Sequence, residues 1–188
     1  MRNFLRRWIQ GLFYWFRPET TRDGELKRHL DEIEAIVGVP FGSHVEFMEC
    51  GRSNRHMAGE MVYVRNLSRR KDLPLIAQWE IVDCLAGRGE PVLSTEAPRY
   101  GPHVNTRLFF EQLRSAFPKI RKIAIVAHPA HALRCRMVAE RLGFEVGVLW
   151  TAAIDYDPTS TQRWCRSPWL FIPWEFASRV LFLIRGWM

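Results

Sequence analysis

The sequence predicts an α/β fold, a Rossmann-like three-layer sandwich around a mainly parallel five-stranded sheet, and three observations carry that expectation. Five short apolar runs, at residues 35–39, 73–77, 91–94, 122–127 and 145–150, alternate with longer stretches of helical periodicity. The connections between them are short, which favours parallel strands with helices on both faces of the sheet. The run Ile123-Ala124-Ile125-Val126-Ala127 holds no polar residue, as suits a central strand covered on both sides.

Taken in order, residues 1–30 form a basic, aromatic helical extension, and residues 31–188 form one Rossmann-like domain ending in a second basic, aromatic helix. Thr20 to Asp23 supplies capping chemistry for a short helix through Leu30 and Glu34. The first strand, 35–39, stops at Pro40-Phe41-Gly42. A polar loop leads to a helix over about 53–70, with Met57, Met61, Val64 and Leu67 along one side. Strand 73–77 and helix 79–86 follow, then strand 91–94, a loop through Gly101-Pro102 and a helix over about 104–117. Strand four ends at Pro129, which has no backbone N–H to donate, and a helix carrying His131 and Arg134 comes next. Strand five, 145–150, opens into the polar loop Asp155-Tyr156-Asp157-Pro158. In this arrangement every strand releases its polar loop at one edge of the sheet. That carboxyl edge is where open α/β sheets bind ligands.

At 188 residues with 47% apolar and 25% charged residues, the chain can bury a core, so a disordered protein is excluded. The net charge of +7 is concentrated at the ends. Residues 1–22 hold five Arg against one Glu, residues 163–188 four Arg against one Glu, and the middle balances. The same ends hold thirteen of the 24 aromatic residues, which makes them candidate contacts for anionic membrane as well as packing elements. Nucleic acid is the weakest partner class, because the central domain carries no net positive charge. Cys50, Cys84, Cys135 and Cys165 show no CxxC spacing, which reads as four reduced thiols in a cytoplasmic protein. Neither end offers a membrane span: Arg6, Arg7, Gln10 and Gly11 interrupt the first, and Pro173, Glu175 and Arg179 the second.

Several polar groups fall at the expected ligand edge. Gly51-Arg52-Ser53-Asn54-Arg55 opens the first long helix, where free backbone donors with Ser53, Asn54 and Arg55 suit a phosphate or carboxylate. An ordinary helix start with solvated arginines fits these residues equally well. The dinucleotide Gly-x-Gly-x-x-Gly fingerprint is absent, and Gly87-Arg88-Gly89 precedes a strand, on the wrong edge. His131 transfers protons near neutral pH and Arg134 holds an anion bidentately, while His128 fits a structural role at the strand end. Glu96 is a candidate base; Asn105 and Thr106 line the same loop or cap the helix that follows. Glu175, inside an apolar aromatic helix, needs an arginine partner, for which Arg134 and Arg179 are candidates. His128, His131 and Cys135 lack a metal-site spacing, so no metal is assigned.

Together the strand at 35–39, Gly51 to Arg55, the loop from Glu96 to Thr106, His128 to Arg134, and the terminal helix with Glu175 resemble the bacterial domain-of-unknown-function family that includes YdcF, SanA and ElyC. In that family a Tyr-His-x-x-Arg-type segment follows the fourth strand, and an acidic loop leads into an Asn/Ser-x-Thr helix start. Here Ala130-His131-Ala132-Leu133-Arg134 keeps the histidine and arginine without the tyrosine. The glycine-rich end of strand one is reduced to Pro40-Phe41-Gly42, and Gln78-Trp79-Glu80 replaces a Ser-Gly-Gly-like turn. The resemblance implies a Rossmann-like domain of unsettled biochemistry with a link to the cell envelope. Because such members commonly carry transmembrane segments and this sequence offers none, it implies a cytoplasmic variant or one attached peripherally at the inner face of the membrane.

Two functions follow as expectations. The first is a small-molecule-binding protein or enzyme for a phosphorylated or nucleotide-linked metabolite, with Arg134, Ser53, Asn54, Arg55, Asn105, Thr106 and Glu175 as ligand contacts and His131 with Glu96 managing protons. No cofactor is assigned beyond a nucleotide-type ligand. The second is a non-catalytic, membrane-peripheral binding or scaffold protein.

Overall fold

The structure is a computed structural model, and it describes residues 29–42, 50–94, 105–151 and 154–187. Its elements run β1 (Ala35–Gly38), α1 (Arg52–Leu67), β2 (Leu75–Ala77), α2 (Trp79–Ala86), β3 (Val92–Ser94), α3 (Thr106–Ala116), β4 (Lys122–Val126), α4 (Pro129–Arg141), β5 (Glu145–Trp150), a 3₁₀ turn (Arg163–Arg166) and α5 (Pro168–Ile184). The five strands form one wholly parallel sheet in the order β3-β2-β1-β4-β5. The chain therefore reverses direction across the sheet between β1 and β4, which makes their carboxyl ends the topological switch point. The helical extension expected over residues 1–30 falls outside the described residues except at its end, where 29–32 are helical.

The order of burial follows the sequence pattern. β1, β2 and β4 lie inside the sheet and bury nearly every side chain, whereas β3 and β5, at the edges, are partly exposed. Two apolar layers result. Met57, Met61, Val64, Ile81 and Leu85 pack with Ile36, Leu75 and Val126 on one face. Phe109, Phe110, Leu113, Cys135 and Val138 pack with Val37, Ile76 and Ile125 on the other. α5 contributes Phe171 to the first layer and Phe182 to the second, so it passes from one to the other. Its helix runs through Pro173, a residue that reads in sequence as an interruption.

The cysteine reading is corrected in part. Cys50 and Cys84 form a disulfide with their Cα atoms 5.4 Å apart, while Cys135 and Cys165 are free and buried. The bridge ties the start of α1 to α2 across 34 residues of sequence, a proximity set by helix packing that no local spacing reveals. With one pair oxidised, the thiol argument for a reducing compartment no longer holds. Among the described residues no helix is long and apolar enough to cross a membrane.

Close packing leaves no space at Gly38, the last residue of β1. A Cβ there would overlap Met61 Sδ and lie 3.2 Å from Ile81 Cδ1. Gly38→Ala is expected to cost about 1–3 kcal/mol through overpacking, read as a lower urea midpoint at unchanged m-value.

Candidate functional site

At the carboxyl end of β4 the chain turns sharply into α4. His128 is the N-cap: its Nδ1 accepts from the Ala130 N–H at 3.2 Å, and Pro129 occupies the first helical turn, where no donor is missed. The imidazole stacks on Phe41 at 3.8 Å between ring centres, and Tyr156 meets it edge-on at 4.6 Å. Phe171 of α5 closes this aromatic cluster against Phe41 and Tyr156. Burial, with some help from neighbouring His131, depresses the His128 pKa to about 3, so the ring is neutral.

One turn further along, His131 and Arg134 face α5. Glu175 has no exposed surface, and both arginines that its sequence context offers as partners reach it. Arg179 Nε donates to Oε1 at 2.9 Å, and Arg134 Nη2 lies 3.0 Å from Oε2. His131 Nδ1 stands 3.6 Å from the same Oε2 and 3.0 Å from Arg134 Nη2. A guanidinium only donates, so Nδ1 accepts here and the ring is neutral. Burial chiefly, then the Arg134 charge, hold the His131 pKa below its usual value against the pull of Glu175. Burial also pushes the Glu175 carboxyl upward, but the Arg134 and Arg179 guanidiniums oppose it, and its pKa is lowered. Among the described residues Arg134 Nε is buried without an aligned hydrogen-bond partner, whereas Glu175 Oε2 is held in the Arg134 ion pair and His128 hydrogen-bonds the Ile154 backbone.

Of the two sequence readings of the α1 start, an anion cradle and an ordinary helix start, the contacts among the described residues fit the second. Asp157 Oδ2 accepts from the Arg52 N–H at 2.8 Å, so a carboxylate of the chain itself sits on the helix N-terminus. Arg52 pairs with Asp155 at 2.8 Å, and Ser53 Oγ donates to the Asp155 carbonyl at 2.7 Å. Asn54 is buried and ties down the end of β1, accepting from the Phe41 N–H at 2.9 Å and donating to the Gly42 carbonyl at 3.0 Å. Arg55 is exposed and reaches the Cys50 carbonyl at 3.2 Å. Asn105 caps α3 by accepting from the Leu108 N–H at 2.9 Å, and Thr106 is buried behind it. Glu96 lies outside the described residues. Among the described residues no group of three His, Cys, Asp or Glu side chains is arranged to hold a metal ion.

The structure thus brings His131, Arg134 and Glu175 together, and sets Ser53, Asn54 and Arg55 in a second group with Asp155 and Asp157. Sequence reasoning places Asp155 and Asp157 only in a polar loop; their alternation, which leaves the intervening Tyr156 for the aromatic cluster, is the signal that marks them. Glu80 in the first turn of α2 is the other group missed. Burial, with the Asp83 charge adding to it, raises its carboxyl to about 7, and its Oε2 has no hydrogen-bond partner among the described residues. Comparison with protein families, curated proteins and solved structures gives no match to the chain. Fold and geometry define its class, a Rossmann-like α/β domain whose carboxyl edge is crossed by a C-terminal helix.

Two outcomes follow. Glu175→Gln strands two buried guanidiniums and is expected to destabilise by about 3–5 kcal/mol at pH 7. Because the folded-state pKa of Glu175 is lowered, its contribution is present above its unfolded value of 4.5 and is lost as pH falls through the folded value. The gap between wild type and variant in denaturant melts should therefore narrow in acid. Glu80 has the opposite sign. Its carboxyl is protonated more readily in the folded state, so its burial costs nothing below pH 4.5 and its full penalty above about 7. Glu80→Gln is expected to stabilise by about 1–3 kcal/mol at pH 8 and to be neutral near pH 4.5, in the same melts.

Proposed function

We propose that this domain binds a small anionic molecule, of the phosphorylated or nucleotide-linked kind, at the carboxyl edge of its sheet beside the β1/β4 switch point. The single observation that supports this reading is Arg134 Nε, a buried guanidinium donor without an aligned hydrogen-bond partner among the described residues. Buried polar atoms in native proteins are nearly always satisfied, so such a donor marks a place for an accepting ligand or ordered water. Arg134 is the anion anchor, with Glu175 as the internal carboxylate that holds its guanidinium in place. His131, neutral at pH 7, accepts rather than supplies a proton.

The residues that carry the resemblance to the YdcF, SanA and ElyC family include this same histidine and arginine, which supports the reading further. In it Glu96 joins His131 as the proton-managing pair. Asn54 acts by shaping the β1 end and Ser53 by holding the loop after β5, since both are already engaged by the chain. Asn105 and Thr106 open the helix after the Glu96 loop.

A thermal-shift series with inorganic phosphate, sugar phosphates and nucleoside mono-, di- and triphosphates tests the proposal. At least one probe is expected to raise the melting temperature saturably. Arg134→Lys, which keeps the charge opposite Glu175 but not the planar fork, is expected to weaken that response about tenfold or more. A flat response of the wild-type protein to the whole series would reject the reading.

A further inference from the structure

α5 is built inside out. Its inward face carries Glu175, Ser178 and Arg179 between Phe171 and Phe182, all buried. Its outward face carries Trp169, Leu170, Trp174, Phe176, Leu181 and Ile184, with Trp169 at 85% exposure and Ile184 at 79%. A surface helix of a water-soluble domain ordinarily shows the reverse pattern. An exposed aromatic and aliphatic patch of this kind marks a surface that meets something else.

The charges around the patch identify the partner. Arg163 and Arg166 in the preceding 3₁₀ turn and Arg185 at the end of α5 are all exposed. From Pro158 to Trp187 the only acidic residue is Glu175, which has no exposed surface. Along the chain from Pro158 to Trp187 the exposed charges are therefore all cations. A second copy of the chain seated on this face would bring two arginine rims together. Residues 1–22, with five Arg against one Glu, carry the same sign. An anionic lipid surface meets both requirements at once, because aromatic rings settle at the headgroup boundary while arginines engage lipid phosphates.

We propose that the outward face of α5 is a docking surface for an anionic bilayer, with the helix lying in the plane of the interface. Its 17 residues span about 25 Å. Insertion across the bilayer would have to expose or break the Glu175 pairing with Arg134 and Arg179, whereas lying flat leaves it intact. The docking face points away from His131 and Arg134, so this surface is independent of the anion site proposed above.

The test is flotation of the full-length protein with vesicles of equimolar phosphatidylcholine and phosphatidylglycerol, against pure phosphatidylcholine. Binding to the anionic vesicles, weakened by added salt, is expected. The double variant Trp169→Ser/Ile184→Ser alters two exposed positions. It should keep the wild-type melting temperature and bind about tenfold less or weaker still. Failure of the wild-type protein to float with anionic vesicles would overturn the proposal. So would equal binding to neutral ones, or undiminished binding by a folded double variant. A wild-type dimer that the double variant converts to monomer, without vesicle binding, would assign the face to a second copy and overturn it as well.

Discussion

The interaction on which the carboxyl edge depends is the sharing of one buried carboxylate, Glu175, between Arg134 of α4 and Arg179 of α5. It resolves an electrostatic problem and a topological one together. A fully buried carboxylate is tolerable only beside positive charge, and the two guanidiniums keep it ionised against the desolvation that would protonate it. The same contacts hold the last helix against α4, while Arg179 also reaches the Ala130 carbonyl in the first turn of α4 at 3.4 Å. Phe171 and Phe182, on either side of Glu175 in the sequence, dock in different apolar layers, so the polar centre of the helix is fixed by an apolar anchor at each end.

That arrangement ties the two surfaces of α5 to one another. With its polar residues turned inward to meet His131 and Arg134, the helix has only apolar residues and terminal arginines left for its outer face. An ordinary amphipathic helix would bury that apolar face against the sheet and leave the buried cluster without its carboxylate. Stability of the edge and exposure of the aromatic face are thus consequences of one choice of helix orientation. The disulfide from Cys50 to Cys84 and the cap of Asp157 on α1 play the corresponding part at the other side of the edge, holding the first long helix to its neighbour and to the loop after β5.

Much of the architecture was legible in the amino-acid sequence because it depends on local periodicity. The polar-free run ending at Ala127 marked a strand covered on both faces, and β4 lies inside the sheet between β1 and β5. Helix α2 and strand β5 fall where their patterns placed them, at Trp79–Ala86 and Glu145–Trp150. Glu175 announced its need for an arginine because a charge in an apolar helix has few alternatives. The occupation of the α1 N-terminus was not legible in the same way. Ser53, Asn54 and two arginines look the same in sequence whether their partner is a ligand or a loop about a hundred residues away.

The sequence by itself determined the alternation of strands and helices, the edge at which the polar loops emerge, and the concentration of basic and aromatic residues at the chain ends. These are properties of short windows, set by side-chain volume, hydrogen-bonding capacity and charge. Only the tertiary structure decided that Cys50 meets Cys84, that Asp157 caps α1, and that α5 turns its ions inward and its tryptophans outward. Each of those depends on which distant segments pack together, and packing couples residues 34 to 105 positions apart with no trace in their spacing.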